Sequence, residues 1–305
     1  MDANNDLVVS VNKNYSWEPL RNYAISLYKS GFRGKKLMFV QDINAEARRN
    51  LETLGFTLID FSFKDNKGGF PSTRFEPIAH YLSNNPGLFR YVIWTDSRDV
   101  VFQSDPSVWL ENNIGEYQLV VCSEGVLLKD EPTNVLWVTN ASNGLHTDLE
   151  QEQLCSGTIA GTAEAMRDIS KAIFEESFNI QQWDSSNGSG SDQGLLNYLV
   201  HLSPFKEISR IVRADEAFAL QANWFMIKRY EGKMTTLSPR FDMSTGLAFT
   251  PNSDVPYTIL HQYDRDASGW LGNFTAAVEN RYVMSFAAPE EKIVGFRPYR
   301  PLTNR

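Results

Sequence analysis

Residues 90–106 read RYVIWTDSRDVVFQSDP. Tyr91, Val92, Ile93 and Trp94 make a short continuous apolar run, the composition of a strand buried on both faces. Thr95-Asp96-Ser97-Arg98-Asp99 then puts two carboxylates and a guanidinium at its carboxyl end, and the chain turns apolar again at Val100. Residues i and i+3 of a tight turn have Cα atoms within about 7 Å, so Asp96 and Asp99 can reach one divalent cation. Oxygen-rich sites of this kind suit Mg²⁺ or Mn²⁺, which keep several waters and bind substrate phosphates. The structural alternative is that Asp96 caps the turn and Asp99 pairs with Arg98.

Upstream of this stretch the pattern is regular. LVVSVN (7–12) has strand length, and Leu20, Tyr23, Ala24, Leu27 and Tyr28 then recur at helical spacing as far as Gly31. KLMFVQ (36–41) predicts a second strand, AEARRNLETLG a helix ending at Gly55, FTLIDF (56–61) a third strand, and residues 73–83 another helix. Strand and helix alternating at this pitch predict βαβ units in a parallel sheet with helices on both faces. Ligands bind such sheets outside the carboxyl ends of the strands, which is where Asp96 and Asp99 fall.

Downstream the rhythm is less regular. Strands are predicted at 117–124, 154–161, 208–214 and 257–264, with a polar, loop-like stretch over 125–153. Ala163, Met166, Ile169, Ile173 and Phe174 share a helix face, and a Gly/Ser-rich loop at 185–190 feeds a helix capped by Ser191 or Asp192. The expected organisation is one domain over 1–285, with 1–110 as its ligand-binding half and 111–285 as a less regular second half. A Pro- and Arg-containing tail occupies 286–305.

Composition narrows the class. The 305 residues are 42% apolar and 22% charged, and the net charge is −8, which argues against a binder of nucleic-acid backbones. No run of 18 apolar residues and no signal-peptide pattern occurs, so a cytoplasmic protein, bacterial or viral, is expected; a domain trimmed from a longer, membrane-anchored chain is the alternative. Cys122 and Cys155 sit in predicted strands and read as buried thiols. The sequons at Asn14, Asn140, Asn187 and Asn273 are no more than chance supplies in an Asn- and Ser-rich chain.

Three further stretches carry chemical options. His261 in HQYD (261–264) closes an apolar strand as the quoted stretch does, and is either a ligand to a Mn²⁺-type ion or a structural strand-end residue. Asp192 and Gln193 hold a carboxylate and a carboxamide beneath a glycine-freed loop, which suits a sugar hydroxyl or an attacking alcohol as well as a helix cap. CSGTIAG (155–161) is small-sided, so that Gly157 and Gly161 admit either a ligand or close packing. Trp183, Trp224, Trp270 and Tyr263 suit stacking on sugar rings, or the core.

Taken in order, TDSRDVVFQSDP, CSGTIAGT, SDQGLLNYL and HQYDR…W make the chain resemble nucleotide-sugar-dependent glycosyltransferases of the GT-A fold over residues 7–270. The resemblance implies a Rossmann-like, mostly parallel central sheet flanked by helices. It implies a divalent ion, Mn²⁺ or Mg²⁺, held by Asp96, Asp99 and His261. Val11, Asn12, Arg74, Asp96, Arg98, Ser156 and Gly157 would meet the nucleotide and donor sugar, and Asp192 and Gln193 would face the transferred sugar and a glycan or other hydroxyl acceptor. An inverting enzyme would use Asp192 as the base; a retaining one would make Gln193 the residue of interest. A strict D-x-D from Asp96 needs an acid at 98, where this chain has Arg98, so the motif is a D-x-x-D variant. The rival readings are a metal-dependent phosphohydrolase, which would also need an acid at 98, and a non-catalytic nucleotide-sugar or glycan-binding module.

Overall fold

The computed structural model describes residues 2–63, 68–183, 188–225, 232–265 and 272–286. The chain opens with β1 (Leu7–Lys13), α1 (Trp17–Lys29), β2 (Lys35–Gln41), α2 (Ala45–Thr53), β3 (Phe56–Asp60), α3 (Gly69–Thr73) and α4 (Glu76–Asn84). Next come β4 (Tyr91–Thr95), β5 (Val100–Phe102), α5 (Pro106–Asn113), β6 (Leu119–Leu127), α6 (Pro132–Ala141), β7 (Glu152–Thr162), α7 (Ala163–Glu176) and α8 (Ser191–Leu199). The remainder holds α9 (Phe205–Ile208), β8 (Ser209–Val212), β9 (Ala219–Gln221), α10 (Ala222–Phe225), β10 (Arg240–Asp242), β11 (Leu247–Phe249), β12 (Ile259–His261) and α11 (Gly272–Glu279).

Seven strands form the main sheet in the order β3-β2-β1-β4-β7-β6-β8. β3, β2, β1 and β4 are parallel, as the βα alternation predicts, and β6 and β8 are parallel to each other. β7 runs antiparallel between β4 and β6. Both faces of β1 are buried, and its side chains divide between two cores at period two. Val8 packs with Leu20, Tyr23 and Leu27 of α1. Leu7, Val9 and Val11 pack on the other face with Phe75, Ile78 and Leu82 near α4 and Ile169 and Ile173 of α7. Cys122 and Cys155 are buried free thiols.

The sequence-based boundaries fail where packing overrides local pattern. The polar stretch 125–153 is a loop only in part: β6 continues to Leu127, Pro132–Ala141 is helical and β7 starts at Glu152, which leaves 142–151 without helix or strand. Its start is marked by Pro132 and by the Glu131 carboxylate, which accepts from the Asn134 amide at 2.9 Å. Burial of polar Asn134 hides the apolar stripe that would reveal the helix. The predicted helix 73–83 is two helices separated by Arg74 and Phe75. The strand predicted at 257–264 stops at His261, because Gln262 takes a left-handed backbone (φ 59°). The helix after the Gly/Ser loop is capped by left-handed Gly190, not by Ser191 or Asp192. Of the predicted tail, 287–305 lies outside the described residues.

A three-stranded sheet, β5-β12-β9, completes the frame of the site. β5 is antiparallel to β12, with Val100 opposite His261, and β12 is parallel to β9, with His261 opposite Gln221.

Candidate active site

Two strand pairings bring Asp96, Asp99 and His261 together. β4 pairs with β7, and just beyond it the Asp96 amide donates to the Gly157 carbonyl at 2.9 Å. The β5–β12 pairing sets Asp99 beside His261, and the Gln262 amide donates to the Asp99 carbonyl at 2.8 Å. One ligand atom from each of Asp96, Asp99 and His261 lies within 4.8 Å of the others. His261 Nε2 is 3.5 Å from Asp96 Oδ2 and 3.5 Å from Asp99 Oδ1.

Three observations fit this cluster to a divalent cation. His261 Nε2 is buried and makes no hydrogen bond. The other ring nitrogen, Nδ1, is 2.6 Å from Gln221 Oε1, and Gln221 in turn donates to Thr158 Oγ1 at 2.6 Å. A histidine ligand whose remote nitrogen is held this way presents Nε2 as the metal-binding atom. Gly157 leaves the space: a β-carbon there would sit 2.8 Å from His261 Nε2 and 2.9 Å from Asp96 Oδ2.

Charge in the site is heavily paired. Arg74, over the Trp94 ring at 4.9 Å, reaches Asp96 Oδ1 with Nη1 and Asp192 Oδ2 with Nη2, each at 2.5 Å. Burial raises the Asp96 carboxyl, but Arg74 and His261 outweigh it and hold it at about 2. Burial likewise works against the Asp99 carboxylate, and His261, Arg98 and Arg265 still hold it below its usual range. Asp99 Oδ2 receives Arg98 and Arg265, each at 2.8 Å, which leaves Oδ1 toward His261. Arg98 also pairs with Asp264. The turn-type ion pair and the clustered acids therefore coexist.

Two cavities flank this cluster and meet along Phe70, Pro71, Arg74, Asp96, Ser189 and Arg265. One, of 380 Å³, is lined by Val11, Asn12, Lys13, Tyr15, Arg98 and Asp99. Asn12 accepts from Ser97, and its Nδ2 is buried without a partner. The other, of 370 Å³, holds Ser156, Asp192, Gln193, Glu124, Asn134, Trp137 and Trp224.

In the second cavity Gln193 Nε2 donates to Asn134 Oδ1 at 2.7 Å and Glu124 Oε2 at 3.3 Å, and its Oε1 faces the Ser156 amide at 3.4 Å. Asp192 Oδ1 accepts from the Gln193 amide at 2.9 Å. Asn197, the last residue of the D-Q-x-x-L-N run, is wholly buried; it accepts from the Leu154 amide and donates to the Leu154 carbonyl, each at 2.8 Å, tying α8 to β7.

Every residue predicted for the site is thus gathered at this cluster or on these two cavities. Sequence reasoning missed Glu124, Asn134, Gln221, Arg265 and Trp137. Only Glu124 and Arg265 carry a sequence signal, each being a charge at the end of an apolar run. Of the predicted aromatics, Trp224 lines the second cavity and donates to Glu124 at 2.8 Å. Tyr263 is a core residue bonded to Asn22 at 2.9 Å and lines neither cavity, and Trp270 lies outside the described residues. Trp183 donates to the Ser189 carbonyl at 3.3 Å.

The fold is that of the GT-A glycosyltransferases. Among solved structures, the chain is similar to the galactosyltransferase LgtC in complex with donor and acceptor sugar analogues, with 14% identity, a TM-score of 0.50, and 90% of this chain and 95% of that one covered. It is similar in the same measure to LgtC carrying an active-site glutamine-to-glutamate mutation, with 14% identity, a TM-score of 0.52 and the same coverage. No family model matches the chain, and no curated protein matches it. Among the described residues no helix is long and apolar enough to cross a membrane.

Proposed function

We propose that the protein is a metal-dependent glycosyltransferase that moves a sugar from a nucleoside-diphosphate donor to a hydroxyl of a glycan or similar acceptor. The observation that carries this reading is the convergence of Asp96 Oδ2, Asp99 Oδ1 and the unpartnered His261 Nε2 at the seam between two cavities. A bound Mn²⁺ or Mg²⁺ would supply positive charge to the diphosphate as it leaves. LgtC, the similar structure, was crystallised with donor and acceptor sugar analogues, and two adjoining cavities of this kind suit two such ligands.

The chain's own residues divide the work. The unpartnered Asn12 Nδ2 is a donor for the nucleotide, and Arg98 and Arg265 bring fixed positive charge to its phosphate end. Arg74 and Asp192, locked to each other, orient the donor sugar through its hydroxyls. In the present geometry both Asp192 oxygens are engaged, Oδ2 by Arg74 and Oδ1 by the Gln193 amide. Gln193 is held by its nitrogen, and its carbonyl oxygen, which accepts a long 3.4 Å contact from the Ser156 amide, keeps a second lone pair for a ligand. A fixed carbonyl dipole there stabilises the positive charge that develops on the sugar as the glycosidic bond breaks.

The phosphohydrolase reading is weaker because the position two after Asp96 is Arg98, paired with Asp99 and Asp264. The test is a thermal-shift panel of UDP, GDP, CDP and their sugars, each with Mn²⁺ and with EDTA. A ligand at a hundred times its dissociation constant adds about 2.7 kcal/mol of stability. A metal-dependent shift with one base supports the donor site, and release of sugar to an acceptor separates the enzyme from a binding module. No shift with any nucleotide overturns the proposal.

A further inference from the structure

A third cavity, of 480 Å³, shares no lining residue with the two at the active site. It lies against the C-terminal turn of α1, the β10–β11 turn and the π-helical turn Asn280–Met284 that follows α11. Two cations face it, Lys29 and Arg281. Neither has a carboxylate partner among the described residues, in a chain whose net charge is −8.

Among the described residues, Glu279 and Asp242, acids close in the chain to the cavity lining, are committed elsewhere. Glu279, at the end of α11, is taken by Arg21 and by Asn22 at 2.8 Å. Asp242 accepts from the Ser244 amide at 2.8 Å, the Ser244 hydroxyl at 2.7 Å and the Thr245 amide at 3.3 Å.

The two cations are also held in place. Lys29 Nζ donates to Ser285 Oγ at 3.0 Å and to the carbonyls of Arg281 and Tyr282 at 3.3 and 3.5 Å. Arg281 Nε is buried and has no partner, and Nη1 makes only a 3.5 Å contact with the Thr245 carbonyl. Burial and the adjacent Arg281 charge both push the Lys29 ammonium down from its ordinary value. Two like charges lining one cavity, with no carboxylate partner among the described residues, make an arrangement that an anion would complete.

We propose that this cavity binds a small soluble phosphate monoester, its dianionic group between Arg281 and Lys29 and its hydroxyl-bearing part beside Thr245 and Asn280. A planar guanidinium and a point-charge ammonium together match a phosphate head. The volume exceeds that of bare phosphate and leaves room for a sugar-sized remainder.

The experiment measures melting temperature in inorganic phosphate and in glucose 6-phosphate, each against chloride at equal ionic strength. Phosphate also stabilises proteins non-specifically by exclusion from their surface, so each shift is read as the difference between the wild type and Arg281→Gln. Arg281→Gln removes a 3.5 Å hydrogen bond and a contact over the Tyr282 ring at 5.6 Å, neither of them a buried ion pair. Lys29→Gln is the second variant, and Arg265→Gln controls for phosphate bound at the active site. At about 10 mM the wild type should gain about 2 °C or more over Arg281→Gln and Lys29→Gln, and Arg265→Gln should show the same shift as the wild type. Arg281→Lys should recover part of the shift.

Equal shifts in the wild type and Arg281→Gln overturn the proposal, as does a shift abolished by Arg265→Gln alone. Co-sedimentation with phosphatidic acid vesicles tests the other source of the same chemistry. Arg281-dependent vesicle binding with no response to glucose 6-phosphate overturns the assignment to a soluble ligand.

Discussion

Gly157 and His261 face each other so closely that a β-carbon on the glycine would lie 2.8 Å from the imidazole Nε2. That is well inside van der Waals contact, and it occurs at the one atom of His261 left without a hydrogen bond. Gly157→Ala should therefore push the ring off the Asp96–Asp99 pair while leaving the β4–β7 ladder in place. Mn²⁺ affinity should fall about 10-fold or more, and overpacking should cost about 1–3 kcal/mol of stability. Mn²⁺ titration and urea unfolding in EDTA measure the two effects separately; wild-type Mn²⁺ affinity in the variant would remove Gly157 from the metal site.

Asp99 and Asp192 should separate binding from transfer. Asp99→Asn should lose the Mn²⁺-dependent part of the nucleotide thermal shift. Asp192→Asn should keep that shift and lower sugar transfer by about 100-fold. If Asp192→Asn changes only the melting temperature, its role is confined to pairing with Arg74.

Arg74 is the sole bridge from Asp192 to Asp96 among the described residues, and its side chain is 13% exposed. Arg74→Met leaves two poorly hydrated carboxylates facing each other. The expected loss is about 3 kcal/mol in urea unfolding at neutral pH. Asp96→Asn in the same chain should restore part of it, since one of the stranded charges is then gone. A double variant no more stable than Arg74→Met would locate the damage elsewhere.

Asn197 should prove structural. It alone satisfies the Leu154 amide and carbonyl through its side chain, at 2.8 Å each, inside the core. Asn197→Leu leaves both groups unpaired and should cost about 2–4 kcal/mol. The urea midpoint should fall with little change in KM for any donor the remaining folded protein still uses.

Acid should weaken the protein partly through a histidine pair apart from the Asp96, Asp99 and Asp192 carboxylates. The rings of His146 and His201 stack at 5.8 Å between centroids, and both Nε2 atoms are buried without partners. Burial, then the neighbouring His146, pushes His201 down to about 4 from 6.5. Between those values the unfolded chain binds a proton there and the folded chain does not. Stability from this residue is therefore complete above pH 6.5 and drains away as the pH falls toward 4. With solvent screening on its exposed side the loss is on the order of 1 kcal/mol. Urea unfolding at about pH 7 and about pH 4.5 should show a smaller difference in His201→Gln than in the wild type; an equal difference would acquit the pair.

The sequence by itself determined the parallel half of the sheet. Apolar runs of strand length alternate with helical spacing from Leu7 to Trp94; β1, β2 and β4 follow from burial on two faces, a purely local constraint, and the partly exposed edge strand β3 from the run FTLIDF. It also placed Asp96, Asp99, Asp192 and His261 at strand and helix ends, because a charge that follows a buried run has to lie at the edge of the core. The helix at 132–141 was not legible, since its inward face mixes Asn134, held by Glu131 and Gln193, with only Val138 and Ala141, while apolar Leu136 is exposed. Only the tertiary structure decided that Arg74 bridges Asp96 and Asp192, and that Gln221 aims His261. Those partners are separated by 22, 118 and 40 positions. No local pattern encodes such pairs. They exist because β7 runs antiparallel between β4 and β6, and because β12 returns beside β5, bringing distant strand ends to one edge of the sheet.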